Sequence, residues 1–277
     1  MQETRQERIS DNITGYFMNN RFPALFVSHG APTVIIDDCP ARDFYKDFGK
    51  KIGKPKGIIS VTAHWTTRIP AISMHPQPSM IYDFGGFPDE LYAITYPAPG
   101  DPALAKQVEF LLKENGIESE KDMSRGYDHG TWVPLKLMYP DADIPIVQLS
   151  VQPHQGAEHH LAMGKALQLL RDEGVLIVAS GSATHNLRDF FGRNLNAEPL
   201  AYALDFADWL KDAVVNNHTD DLLDYVNKGP HALRNHPTPE HFLPLFVALG
   251  AGDEEEGRVI HDSFTYGAIS MAAFAWQ

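Results

Sequence analysis

Three stretches of the chain are almost continuously apolar and lack the alternation of a half-exposed strand. They begin at Phe22, Gly57 and Val175. Runs of small, β-branched and apolar residues are typical of strands buried on both faces of a sheet. A fourth run, over residues 144–151, has the same character. The pattern therefore predicts a central, mostly parallel sheet.

Between these runs, apolar residues recur at helical spacing. Helices are predicted over 41–53, 102–115, 133–138, 156–171, 199–217, 220–226 and 240–249, and a last strand over 267–275. In the last helix Thr238 is the predicted N-cap and Pro239 the first helical residue, so that His241 lies in its first turn.

This alternation predicts an α/β fold, with a central mostly parallel mixed sheet flanked by helices. No repeat and no linker-like change of composition divides the chain. We therefore expect one catalytic domain over residues 21–277, preceded by an N-terminal extension, residues 1–20.

Composition narrows the classes of function. The 277 residues carry a formal net charge of −13, which opposes nucleic-acid binding. No apolar run is long enough to span a membrane, and the polar N-terminus does not resemble a secretory signal. A single cysteine, Cys39, fits a reducing compartment, so a cytoplasmic location is expected. With 13 histidines and one thiol, a metal site here would use imidazole and carboxylate ligands.

Three of the buried strands, those that begin at Phe22, Gly57 and Val175, share a further feature, because each brings a histidine to its carboxyl end. These residues are His29, His64 and His185. In an open α/β sheet ligands bind at that edge, so the three are expected to converge there. His129 lies beside Asp128, which could orient its ring, and His241 is favoured over its carboxylate neighbour Glu240 as a ligand.

Other histidines are given no role. His231 and His236 flank the loop before His241, and the remaining six are predicted to lie in polar or helical surface positions: His75, His154, His159, His160, His218 and His261.

Neutral imidazoles can hold one divalent metal and leave open positions for a substrate. A further histidine can move protons near neutral pH. Aromatic residues near these histidines, several of them in the long loop 75–100, either wall a pocket for a flat substrate or only pack together. The candidates are Trp65, Tyr82, Phe84 and Trp132. The residues alone thus indicate a mononuclear metal enzyme with histidine acid/base chemistry.

Several motifs resemble the DOPA 4,5-dioxygenase group of the class III (LigB-type) extradiol dioxygenases. They occur in the family's order and include SHGAP at 28–32, TAHW at 62–65, YDFGGFP at 82–88, YDHGTW at 127–132 and PTPEH at 237–241. The resemblance extends from about residue 23 to the C-terminus.

The resemblance implies one Fe(II) or Zn(II) per chain, bound by His29, His64 and His241. His185 would be the acid/base and would join the ligands if the metal is zinc, while His129 would lie beside substrate and oxygen. The partners implied are a small catecholic substrate and O2, and the product is a semialdehyde. Many relatives in the wider superfamily complete the metal site with a carboxylate where this chain has His241.

Two alternatives remain open at this point: a zinc hydrolase that activates water, and a non-catalytic binding protein of the same superfamily. The sequence also leaves open the catechol, the ring bond that is cut, the physiological metal and the number of subunits.

Overall fold

The computed structural model describes residues 21–253 and 255–277. The predicted extension, residues 1–20, lies outside the described residues. The strands are β1 (Ala24–Ser28), β2 (Gly57–Thr66), β3 (Ala71–Ser73), β4 (Glu120–Asp122), β5 (Ile146–Val151), β6 (Val175–Gly181), β7 (Arg258–His261), β8 (Phe264–Thr265), β9 (Ile269–Ser270) and β10 (Ala273–Trp276).

Helices connect and cover these strands. They are α1 (Pro40–Ile52), α2 (Pro102–Glu114), α3 (His129–Met138), α4 (Gly156–Leu167), α5 (Leu187–Phe190), α6 (Ala201–Val215), α7 (Thr219–Leu223), α8 (Tyr225–Lys228), α9 (Ala232–Asn235) and α10 (Pro244–Ala251). Short 3-10 helices span Pro32–Ile35, Asp89–Ala93, Pro153–Gln155 and Gln168–Arg171. Among the residues described, no helix combines the length and apolar character that crossing a membrane requires.

Eight strands form one sheet in the order β4-β3-β5-β2-β6-β1-β10-β7. The four central strands, β5, β2, β6 and β1, are parallel to one another. β3 is antiparallel to β5, and β10 is antiparallel to both β1 and β7. This arrangement confirms the predicted α/β fold with a mostly parallel mixed sheet.

Helices pack on both faces of the sheet, which explains why the central strands are mostly apolar. One buried cluster joins the sheet to α2, α4, α6 and α10, with Phe206 and Phe246 among its members. The other joins the opposite face to α1 and α3 through Tyr45, Phe48 and Trp132.

The register of the central strands brings the histidines to one edge. Ser180 of β6 pairs with Val27 of β1 on one side and with Thr62 of β2 on the other. His29 and His64 therefore each lie two residues beyond a position that pairs with Ser180. His29 directly follows β1, and His64 lies near the carboxyl end of β2.

Several predicted boundaries were wrong, and the helix predicted over 220–226 is divided into α7 and α8. α3 begins at residue 129, four residues early, because Asp128 caps it by accepting from the backbone N–H of Thr131. α10 begins at Pro244, because residues 239–243 form a separate turn and the hydroxyl of Thr238 donates to Glu240 instead of capping a helix. The predicted strand over 267–275 is divided into β9 and β10.

Candidate metal centre

Five histidines from distant parts of the chain meet at the carboxyl edge of the sheet: His29, His64, His129, His185 and His241. The Nε2 atom of His64 lies 3.0 Å from Nε2 of His29 and 3.3 Å from Nε2 of His241. Ligating nitrogens of His29, His64 and His129 also lie within 4.8 Å of one another. The predicted convergence of the strand-end histidines is therefore present.

Oxygen atoms near the Nδ1 atoms orient three of these rings. Nδ1 of His29 lies 2.9 Å from the hydroxyl of Ser180, and Nδ1 of His241 lies 3.0 Å from the carboxylate of Glu240. Nδ1 of His64 lies 3.2 Å from a carboxylate oxygen of Asp83. Since the carboxylates can only accept, His64 and His241 carry their proton on Nδ1, and their Nε2 lone pairs face the common centre.

The spacing of these Nε2 atoms fits a metal ion. Two nitrogens bound to one ion at about 2.1 Å, at tetrahedral or octahedral angles, are about 3.0–3.4 Å apart. The two measured separations, 3.0 and 3.3 Å, fall in that range. Neutral imidazoles are also the donors that divalent iron and zinc accept. The residues present therefore fit a bound divalent metal.

Glu240 was the predicted rival to His241, and its carboxylate lies within 4.8 Å of ligating nitrogens of His185 and His241. The same oxygen atom, Oε1, accepts from Nδ1 of His241 and from the hydroxyl of Thr238. Glu240 thus contacts the side of the His241 ring opposite to Nε2, a position that orients this imidazole rather than replacing it.

Asp128 does not orient His129, contrary to the sequence interpretation. Its carboxylate is fully buried, caps α3, accepts from Thr62 at 2.7 Å and pairs with Arg125 at 2.6 Å. The carboxylate that holds His129 is Asp83, whose Oδ1 lies 2.8 Å from Nδ1 of the ring and 3.0 Å from the backbone nitrogen.

His185 stacks face to face on His241, with ring centroids 3.5 Å apart and an interplanar angle of 9°. Its backbone N–H donates to the carbonyl of Asn235. Burial, together with the charge that a protonated His236 would carry, lowers the pKa of His185 to about 3. The ring is therefore neutral at pH 7.

The other buried imidazoles of the cluster are also held neutral. Burial, and then the neighbouring rings, lowers the pKa of His29 and of His241 well below the usual value. Burial likewise lowers the pKa of His129, and Asp83 opposes this only in part. Neutral rings keep their lone pairs for a cation.

A cavity of about 240 Å³ opens beside the cluster. A 150 Å³ apolar cavity is enough for benzene, so this volume admits one substituted ring. Its lining is mainly apolar beyond the histidines: Ala31, Pro32, Phe84, Phe87, Leu187, Phe190, Phe191 and Ile269.

Of the four predicted substrate contacts, Phe84 alone lies in this lining. Trp65 follows His64 in β2, so its side chain points to the opposite face, where it stacks under Arg125. Tyr82 and Trp132 lie behind Phe84, at ring-centroid distances of 6.1 and 6.3 Å from it, and each donates to a backbone carbonyl. These three aromatic residues therefore do not line the cavity but pack behind the residues that do.

Sequence reasoning also missed several functional neighbours. Asp83 and Ser180, which orient histidines, were not singled out, although Asp83 stands in a motif of the resemblance. The apolar residues around α5 were not predicted to line the cavity. His160 and His261, placed at the surface, are buried and hydrogen-bonded to Gln152 and Ser263, respectively.

Comparisons with known proteins bear on what this centre does. The model of a family described as the catalytic LigB subunit of aromatic ring-opening dioxygenase matches residues 23–275. The chain belongs to the LigB family of aromatic ring-opening dioxygenases. It is 44% identical to a 4,5-DOPA dioxygenase extradiol of Beta vulgaris, over 90% of this chain and 94% of that protein.

A second curated relative and a solved structure are also similar to this chain over most of their length. A 4,5-DOPA dioxygenase extradiol of Escherichia coli K12 is 40% identical, over 91% of this chain and 94% of that protein. The crystal structure of an uncharacterized Escherichia coli K12 protein superimposes with a TM-score of 0.77 at 35% identity, covering 93% of this chain and all of the other.

The family and these relatives make the chain an extradiol ring-cleaving dioxygenase, an oxidoreductase that acts on a catechol. This decides against the zinc hydrolase and the non-catalytic binding protein. LigB dioxygenases depend on a metal, and the clustered imidazoles supply donors for one.

Proposed function

We propose that this LigB dioxygenase opens a monocyclic, DOPA-like catechol with O2, at a single Fe(II) held by His29, His64 and His241. The observation that carries the ligand assignment is that the Nε2 atoms of His29 and His241 lie 3.0 and 3.3 Å from Nε2 of His64. The substrate class is supported by the 240 Å³ cavity and by the named relatives.

When bound, the metal supplies the redox coupling between catechol and O2 that ring opening requires. Both oxygen atoms of O2 end in the semialdehyde product, so the reaction needs no external reductant. Everything else is the work of the protein: holding the substrate, moving its proton and excluding water.

His185 is the proposed proton acceptor. Its pKa of about 3 keeps the ring unprotonated, and it lies against His241 at the edge of the cavity. A catechol hydroxyl beside it can pass its proton to the imidazole, and the negative charge left on the substrate then favours the protonated ring. The same proton is available later for the product.

His129 faces the cavity from the other side, with Nδ1 committed to Asp83. Its unprotonated Nε2 is available to accept a hydrogen bond from the substrate. Phe84 packs edge-on against His129 at 5.7 Å and covers the ring site, which excludes water from the reacting atoms.

The test is oxygen consumption by metal-free protein reloaded with Fe(II) or Zn(II) and given a panel of catechols that includes DOPA. We expect O2 uptake and a new semialdehyde absorbance with Fe(II) only. Resorcinol, a diol that cannot chelate through adjacent oxygens, is the matched control. If the protein binds Fe(II) but consumes no O2 with any catechol of the panel, the proposal is contradicted.

The ligand set is tested separately by metal stoichiometry. Alanine at His29, His64 or His241 should abolish tight binding of one Fe(II), whereas Glu240→Gln should retain it, since the amide oxygen still accepts from His241. The opposite pattern at positions 240 and 241 would make the carboxylate the third ligand.

A further inference from the structure

One carboxylate contacts two of the clustered histidines. Oδ1 of Asp83 lies 2.8 Å from Nδ1 of His129, and Oδ2 lies 3.2 Å from Nδ1 of His64. Oδ1 also accepts the backbone N–H of His129 at 3.0 Å. The side chain of Asp83 is only 22% exposed, so these contacts are largely shielded from water.

This geometry fixes the tautomers of both rings at once. An ionised carboxylate has only acceptors, so each ring must present its proton on Nδ1 and leave Nε2 unprotonated. For His64 the free Nε2 is the atom that meets His29 and His241. For His129 it is the atom left free for the cavity.

Asp83 also belongs to the wall of the cavity. The next residue, Phe84, lines it and packs against His129 with ring centroids 5.7 Å apart. Tyr82, on the other side, anchors the loop by donating to the carbonyl of Ile94 at 2.7 Å. Asp83 thus connects the loop that lines the cavity to His64 of β2 and His129 of α3.

We propose that Asp83 is a positioning residue that sets His64 for the metal and His129 for the substrate with a single carboxylate. The inference rests on the proposed function for the role of His129, but its effect on metal affinity does not depend on any reaction. Loss of a partner that orients a metal-binding histidine commonly costs about 10–100-fold in metal affinity or activity.

The first measurement is the Zn(II) dissociation constant of Asp83→Asn, obtained by competition with a chelator. An asparagine keeps one acceptor but turns an NH2 group toward the other ring, whose Nδ1–H then has no acceptor. We expect Zn(II) to bind about 10–100-fold more weakly. Asp83→Glu, which retains the charge, should fall between this variant and the wild type.

The matched control is Asp89→Asn, which removes a carboxylate from the 3-10 helix of the same loop, outside the cavity lining. It should bind Zn(II) as the wild type does. A Zn(II) affinity of Asp83→Asn within twofold of this control would overturn the inference. If Asp83→Asn does not fold, Asp83→Ala, which removes both acceptors, is compared with the same control, and an affinity within twofold would overturn the inference.

The second measurement is kcat at saturating Fe(II), in a double-mutant cycle with His129→Gln. If Asp83 acts through His129, Asp83→Asn lowers kcat in the wild type but lowers it much less when His129 is already replaced. Equal losses in both backgrounds would refute the link to His129. The Zn(II) dissociation constant is measured without turnover, so the role of Asp83 in positioning His64 can be tested even if the enzyme is inactive.

Discussion

Replacing His185 with glutamine tests the proton acceptor directly. Burial lowers the pKa of the His185 ring to about 3, so the ring is neutral at pH 7, and it becomes a better base once a negatively charged substrate lies beside it. Glutamine has a similar length and can still stack on His241, but it cannot take a proton. The change therefore removes the chemistry while leaving most of the packing.

Removal of a general base typically costs 10²–10⁴-fold in rate, which corresponds to about 2.7–5.5 kcal/mol of barrier. We expect a loss of kcat in this range in the oxygen-electrode assay, with Fe(II) content unchanged because three other imidazoles remain. If His185 joins the ligands only around zinc, the affinity for Zn(II) should fall while that for Fe(II) does not.

The control is His159→Gln, which changes a half-buried histidine of α4 outside the cavity. It should leave kcat unchanged. A His185→Gln enzyme whose kcat remains within threefold of the wild type at full Fe(II) occupancy would refute the role of His185 as the proton acceptor.

Three further predictions follow from contacts at and behind the site. Gly181→Ala should weaken metal binding, because the new Cβ would lie 2.2 Å from the carbonyl oxygen of His241 and must displace that backbone; Fe(II) stoichiometry reports it, and full binding would contradict the close approach. Phe84→Ala should raise KM for the catechol more than it lowers kcat, since the ring covers the substrate without touching a proton; steady-state kinetics separate the two, and an unchanged KM would remove Phe84 from the binding site. His160 has a folded-state pKa of about 4, lowered by burial, so acidification protonates it in the unfolded chain first, and stability present above about pH 6.5 is lost as the pH falls toward 4. Its share is about 2 kcal/mol at pH 5; denaturant unfolding of His160→Gln at pH 7 and pH 5 should show a smaller loss than the wild type, and an equal loss would contradict the buried neutral ring.

Local sequence determined much of the fold. Buried parallel strands carry continuous apolar runs because helices cover both faces of the sheet, and this signal placed β1, β2, β5 and β6. The ends of these apolar runs are also visible in the sequence, so the histidines at the carboxyl edge of the sheet were predicted without coordinates. Helix boundaries were less secure where side-chain contacts decide them, as at Asp128 and Thr238.

The tertiary structure alone decided which groups surround those histidines. Asp83 precedes His129 by 46 residues and lies in a loop without periodicity, so no local pattern connects its carboxylate to either ring. Trp65 is adjacent to His64 in sequence, yet the alternation of β2 sends it to the other face. The local sequence thus specifies which histidines lie at the edge of the sheet. The residues that contact those histidines depend on strand register and loop packing, which are set by contacts between residues far apart in sequence.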